Sequence, residues 1–184
     1  PLAAIHNALV LVDRRLPAPD EALARPLALI HRQTRHMQRL LDDLLDVSRV
    51  TQGKIQLRRQ TFDVREVVHD VVEQLGPALA EHRHALALTP GDAPLWLHAD
   101  RARIVQVVEN LLTNAIKYTP DGGHLALVLA RRDASLELVV SDDGAGLEPS
   151  TMAHIFEMFV QADTTLDRSQ GGLGVGLTLV RNLV

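Results

Sequence analysis

Leu23, Leu27, Ile30, Thr34, Met37, Leu41, Leu44 and Ser48 follow one another at alternating spacings of four and three. A seven-residue rhythm held that long lays one seam along one face of a helix. At 1.5 Å per residue the helix is about 45 Å long. Leu2, Ile5, Leu9, Val12 and Leu16 carry the same rhythm over a shorter first helix, which Pro17 and Pro19 interrupt, and Asp20 stands where a cap for the second helix belongs. The short helix leaves much of the long seam bare, so a second copy of the chain is the natural cover. The expectation is a helical hairpin that pairs into a dimeric four-helix bundle.

Gly53 and the charged stretch Lys54 to Arg59 end the rhythm. Residues 1–52 are therefore assigned to the hairpin, 53–60 to a linker and 61–184 to a second domain. In that domain Thr61-Phe62 reads as a short strand, and Asp63 with Glu66 reads as a capping box before a helix with Val67, Val68, Val71, Val72, Leu75 and Leu79 on one side. His84 to Thr89 and Leu95 to His98 read as short strands, and Asp100 caps a helix burying Ile104, Val108, Leu111, Leu112 and Ala115. After the turn Pro120-Asp121-Gly122-Gly123, Leu125, Leu127 and Leu129 alternate with period two, as do Leu136, Leu138 and Val140. Helices grouped with a mixed, largely antiparallel sheet make an α+β fold, an α/β sandwich with helices on one sheet face.

A hydrophobic fraction of 46% over 184 residues is enough for a buried core. The net charge of -4 provides no global attraction for nucleic acid or an anionic membrane, and neither is expected as a partner. With no cysteine there is no disulfide scaffold, thiolate metal site or thiol nucleophile. The absence of cysteine agrees with a reducing compartment, so the expected place is the cytoplasm; no apolar run approaches the ~20 residues that span a bilayer. A membrane anchor in a longer parent is compatible with this.

Three segments carry chemistry. Asp142-Asp143-Gly144-Ala145-Gly146 places a carboxylate at a strand end, where it can accept a hydrogen bond from an exocyclic amine such as adenine's, beside glycines that admit a flat ring. Taken alone, DDGAG is equally a glycine turn closing a strand. Gly171-Gly172-Leu173-Gly174-Val175-Gly176 opens an apolar helix, and the free N–H groups of a helix start attract phosphate. It lacks the Lys-Ser/Thr of a Walker A loop and the strand that precedes a Rossmann loop. Alone it also fits a linker. In NLLTNAIKYTP, Asn110, Asn114 and Lys117 share a helix face, so two amides and an ammonium converge; amide oxygens suit a hydrated magnesium ion and the ammonium suits phosphate. The alternative is a set of polar groups satisfied within a core.

Taken in their order along the chain, NLLTNAIKYTP, DDGAG and the glycine run, and within one α+β domain, the three segments resemble the N, G1 and G2 boxes of the sensor histidine kinases of two-component systems, in the gyrase, MutL and histidine kinase ATPase superfamily. Ile155-Phe156-Glu157-Met158-Phe159 resembles that family's F box, and Gln161 to Gly171 stands in the place of its ATP lid, with Phe156 and Phe159 expected to pack at the lid's base. The resemblance implies ATP and magnesium as cofactors. Asn114, assisted by Asn110, would hold the metal. Lys117, Tyr118, Asp142, Gly144, Gly146, Gly172, Leu173, Gly174 and Gly176 would line the nucleotide site, with Asn110, Asn114 and Lys117 serving the transfer. Gyrase-type members place a water-activating glutamate one helical turn before the magnesium asparagine. This chain has Asn110 there, and Glu109 is turned by about 140° from Asn114. An amide is no general base, so phosphoryl transfer is favoured over hydrolysis.

The resemblance also implies a homodimer through the hairpin and a response regulator receiver domain as partner, with phosphate passing from ATP to a histidine and on to an aspartate. Pro1-Leu2-Ala3-Ala4-Ile5 is similar to the tail of the family's H-E-L-R-x-P-L, which puts the acceptor five residues ahead of Pro1. His6, His31 and His36 lack that context and are read as ordinary surface or packing histidines, so this stretch is not expected to autophosphorylate. The first helix is expected to lack its start and the second domain its last strands. Two alternatives are a serine-directed kinase of the same superfamily and a non-catalytic dimerisation or docking module with a vestigial nucleotide site.

Overall fold

A computed structural model describes residues 2–16, 20–51, 56–91, 93–160 and 174–184. The chain divides into two compact units, Pro1–Gln52 and Gly53–Val184.

The first unit holds α1 (Leu2–Arg15) and α2 (Glu21–Thr51). Asp20 caps α2 as expected, its Oδ1 accepting from Leu23 N at 3.0 Å. Leu9 and Thr34 are buried between the helices, and His31 Nε2 on α2 lies 3.0 Å from Asp13 Oδ1 on α1. Along the seam of α2, however, Leu23, Ile30, Met37, Leu41 and Leu44 are each more than two-fifths exposed within the single chain. No helix among the described residues is long and apolar enough to cross a membrane.

The second unit is a mixed α+β fold with the element order β1 (Arg59–Asp63), α3 (Val64–Glu81), β2 (Ala85–Thr89), β3 (Trp96–Asp100), α4 (Arg101–Tyr118), β4 (His124–Arg132), β5 (Ser135–Asp142), α5 (Pro149–Met152) and α6 (Gly176–Leu183). β1 begins two residues before the expected Thr61, because Arg59 pairs with Asp100 across the β1–β3 ladder. The strands form an antiparallel pair, β1–β3, and a three-stranded sheet β2–β4–β5 in which β2 runs parallel and β5 antiparallel to β4. Period-two alternation sends Leu125, Leu127 and Leu129 into the core and leaves His124 and Val128 outside. On the inner face they join Val67, Val68 and Val71 of α3 and Val108 and Leu112 of α4, all nearly inaccessible to solvent. Burial of these aliphatic side chains stabilises the unit by about 1.5–3 kcal/mol apiece.

Two aspartates start the two long helices. Asp63 Oδ1 accepts from Arg65 N at the head of α3 and from Leu95 N, both at 3.1 Å, which ties α3 to the segment entering β3. Its second oxygen takes the Arg65 guanidinium at 2.7 Å, in place of the reciprocal Glu66 half of the expected capping box. That hydrogen-bonded guanidinium, with the two backbone N–H groups, outweighs burial and holds the Asp63 pKa down at about 2. Asp100 caps α4 in the same way, accepting from Ala102 N at 3.1 Å and, through its other oxygen, from Arg58 N at 2.9 Å.

Candidate functional site

α4 is the wall on which the site is built. Its apolar face, Val107, Val108, Leu112, Ala115 and Ile116, is buried, which leaves Asn110, Asn114 and Lys117 half-buried along a neighbouring stripe. Glu109 lies off that stripe and points at α3, where Gln74 Nε2 donates to its Oε1 at 2.9 Å. The expected rotation of Glu109 away from the asparagines is therefore present in the fold.

Asn110 faces the start of α6. A Cβ placed on Gly176 would stand 3.0 Å from Asn110 Oδ1, so only a glycine lets the two helices meet this closely without displacement. Asn110 Nδ2 is buried with no partner, and so is Thr178 Oγ1 in the first turn of α6. Val175, the residue ahead of α6, offers no side-chain cap. The first N–H groups of the helix are left to a ligand or solvent.

The end of α4 meets the DDGAG loop. Tyr118 O accepts from Ala145 N at 3.4 Å, and a Cβ on Gly144 would lie 2.6 Å from the same oxygen. Gly144 is therefore required for the approach. Gly146 is required for another reason, since its φ of +69° is one that side chains with a Cβ avoid. At the strand end Asp142 Oδ1 accepts from Gly144 N at 3.0 Å, while among the described residues Oδ2 has no partner. Lys117 Nζ donates to Tyr118 Oη at 3.1 Å and sits 4.6 Å from the centre of the Tyr118 ring. The ammonium is thus held at the α4 end on an exposed support that a stronger anionic partner can displace.

The last segment is closed by main chain. Phe159 N donates to Gly174 O at 3.1 Å, and Gly174, at φ +70°, lies so close that a Cβ would meet Val160 O at 2.6 Å. Phe156 and Phe159 were expected to pack at this base by their rings, and here the structure corrects the sequence: they are 40% and 59% exposed. Phe159 adopts φ +66°, and Arg181 stands 6.0 Å from the Phe156 ring centre. Gly172, Leu173 and the stretch Gln161 to Gly171 lie outside the described residues.

Sequence reasoning gave Asp143 no role of its own within the DDGAG loop and read His124 as an ordinary structural histidine. Asp143 Oδ1 accepts from His124 N at 2.7 Å, its Oδ2 lies 3.0 Å from His124 Nδ1, and Asp143 N donates to His124 O at 3.2 Å. The His124 amide and imidazole hold the Asp143 carboxyl below its ordinary pKa. The two stand 19 positions apart in sequence, so only the β4–β5 register brings them together, and the only local signal was a second acid beside Asp142.

Residues 99–184 match the family described as histidine kinase-, DNA gyrase B-, and HSP90-like ATPase. The autoinducer 2 sensor kinase/phosphatase LuxQ of Vibrio vulnificus is 36% identical over 156 residues, covering 81% of this chain and 18% of LuxQ. The histidine protein kinase DivJ of Caulobacter vibrioides is 34% identical over 186 residues, which cover 98% of this chain and 30% of DivJ. The chain belongs to the sensor histidine kinase family. Among solved histidine kinases, full-length ShkA in complex with AMPPNP superposes with a TM-score of 0.74 at 25% identity, covering 98% of this chain and 38% of ShkA. ThkA, solved in complex with the response regulator TrrA, shares the fold at a TM-score of 0.62 and 18% identity over 87% of this chain and 48% of ThkA. The chain thus spans less than a third of the length of LuxQ and DivJ.

The residues of this family member suit a nucleotide. The buried, unpartnered Asn110 amide and the uncapped α6 start offer donors to phosphate oxygens, and the unpartnered Asp142 Oδ2 offers an acceptor to a base amine. Among the described residues no cluster of His, Asp and Glu could hold a metal by itself. A magnesium ion here would rest on an asparagine amide and on the phosphates, the sparse protein ligation that this ion accepts.

Proposed function

We propose that residues 61–184 bind Mg–ATP and serve as the catalytic domain of a protein-histidine kinase, with residues 1–52 as its dimerisation hairpin. The observation that carries this reading is the convergence of the DDGAG loop and the α6 start on one helix, while Glu109 is committed to Gln74. Asp142 Oδ2 reads adenine. Asn114, with Asn110, holds the magnesium ion; Lys117 leaves Tyr118 for the phosphates, which the N–H groups around Gly172, Gly174 and Gly176 also contact. Bound magnesium neutralises phosphate charge. Positioning and charge neutralisation provide most of the rate in phosphoryl transfer, so no general base is needed from α4.

The phosphoryl group passes to a histidine and then to a response regulator aspartate in the cytoplasm. The solved pairing of ThkA with a response regulator supports a partner of that class. The pair of chains forms through the exposed seam of α2.

Calorimetric titration with a non-hydrolysable ATP analogue, with and without magnesium, tests the reading. Binding that strengthens with magnesium and weakens in Asn114→Asp and Asp142→Asn is expected. No binding at millimolar ligand would sink the proposal.

A further inference from the structure

We infer that Asp143 and His124 are positioning residues for adenine selection, holding the loop from which Asp142 reaches the base; the inference rests on the nucleotide-binding reading above. Three bonds link them: His124 N to Asp143 Oδ1 at 2.7 Å, the imidazole to Oδ2 at 3.0 Å, and Asp143 N to His124 O at 3.2 Å. A carboxylate only accepts, so His124 Nδ1 carries the proton. The bonds lock the residue after Asp142 to the first residue of β4.

Two glycines show how tightly the loop is seated. A Cβ on Gly123 would lie 2.7 Å from Asp143 Oδ1, and one on Gly144 would lie 2.6 Å from Tyr118 O and 2.7 Å from Asp142 Oδ1. The loop is therefore gripped on one side by the α4 end, through Tyr118 O and Ala145 N, and on the other by the His124–Asp143 pair. Asp142 lies between the grips, with one oxygen fixed on Gly144 N and the other free. Freed from the second grip, the Asp142 carboxylate would sample directions in which it accepts no bond from the base amine. Both His124 and Asp143 have largely exposed side chains, which argues against a role in the core.

Affinities for ATP and GTP analogues in the 184-residue chain, with a thermal melt of each protein, test this. GTP presents an oxygen where ATP presents an amine, so the affinity ratio reports the aim of Asp142, and a merely structural role leaves it unchanged. Loss of a hydrogen-bonded carboxylate should lower the ATP-over-GTP ratio about tenfold in Asp143→Ala. Asp143→Asn keeps an acceptor for His124 N and can donate to the imidazole, so its ratio should stay within about threefold of the parent. His124→Ala keeps the main-chain bonds alone and should lower the ratio by about threefold. An unchanged ratio in the two alanine variants, or in His124→Ala alone where Asp143→Ala does not fold, overturns the proposal. So does an Asp143→Asn loss equal to that of alanine. A parent chain that binds no ATP would sink the nucleotide reading itself. ATP binding that depends on Asp142 but not on Asp143 or His124 would sink only the positioning role.

Discussion

Gln74 Nε2 donates a 2.9 Å hydrogen bond to Glu109 Oε1, so the one carboxylate next to the asparagine stripe of α4 is turned toward α3. A glutamate engaged there cannot also orient a water beside Asn114, which lies about 140° away around the helix. Glu109→Ala is therefore expected to change the basal rate of ATP hydrolysis by less than about twofold. Losing one exposed hydrogen bond should lower stability by about 1 kcal/mol or less. Phosphate release measured beside a urea melt checks both. A large fall in hydrolysis with an unchanged melt would make Glu109 the base that we exclude.

Gly144 and Gly146 separate close approach from backbone strain. A Cβ at Gly144 meets main-chain oxygen at 2.6 Å, whereas one at Gly146 meets nothing within 4 Å but sits at φ +69°. Gly146→Ala should lower stability by about 1–2 kcal/mol, and it should weaken nucleotide binding less than Gly144→Ala does. Gly144→Ala must push the loop off Tyr118 O and should weaken ATP binding by about tenfold or more, as sub-ångström misplacement of a binding group does. Equal effects on affinity would show that the contact with the α4 end does not set the site.

Much of this fold was legible because its signals are local. Asp20, Asp63 and Asp100 each sit one residue ahead of a helix and cap it, and the alternation of Leu125, Leu127 and Leu129 sends one face of β4 inward. Asn110 and Glu109 fall on different faces of α4 because 100° per residue is a property of the helix and not of its surroundings. What was hidden depends on long-range register. The split into a β1–β3 pair and a β2–β4–β5 sheet, and the His124–Asp143 contact, arise only when strands far apart in sequence are aligned. The exposure of Phe156 and Phe159 was hidden too, and for Phe159 a hydrophobic residue in a turn spends its main chain on a contact with Gly174.

Asp63 makes stability depend on acid. Its folded pKa of about 2 lies below the ordinary carboxylate value of 3.8, so its contribution is fully present above pH ~4 and is lost as pH falls from about 4 to about 2. Allowing for solvent around the partly exposed Arg65, the contribution is about 1–2 kcal/mol. Asp63→Asn should be less stable than the parent by that amount at pH 7 and should approach it only as pH falls to about 2. Unfolding in urea at the two pH values measures the convergence. Parallel curves would mean that the Arg65 pairing contributes nothing net.

The exposed seam of α2 gives the prediction on assembly. Leu23, Ile30, Met37, Leu41 and Leu44 share one face of a helix about 47 Å long, and within the single chain each is 43–50% exposed. A contiguous apolar stripe of that length is rare on a monomer and is self-complementary across a two-fold axis. Burying five such side chains in each protomer favours association by several kcal/mol, even after the losses of rotational and translational freedom are subtracted. Leu41→Glu and Leu44→Glu should therefore convert a dimer to a monomer in sedimentation velocity at micromolar protein. Each places like charges opposite one another at the axis and costs the monomer little, because those side chains are already wet. ATP-analogue binding should persist in both variants, since the proposed nucleotide site lies in the second unit. A parent chain that sediments as a monomer at 100 micromolar would remove the dimer reading and leave the nucleotide site untouched.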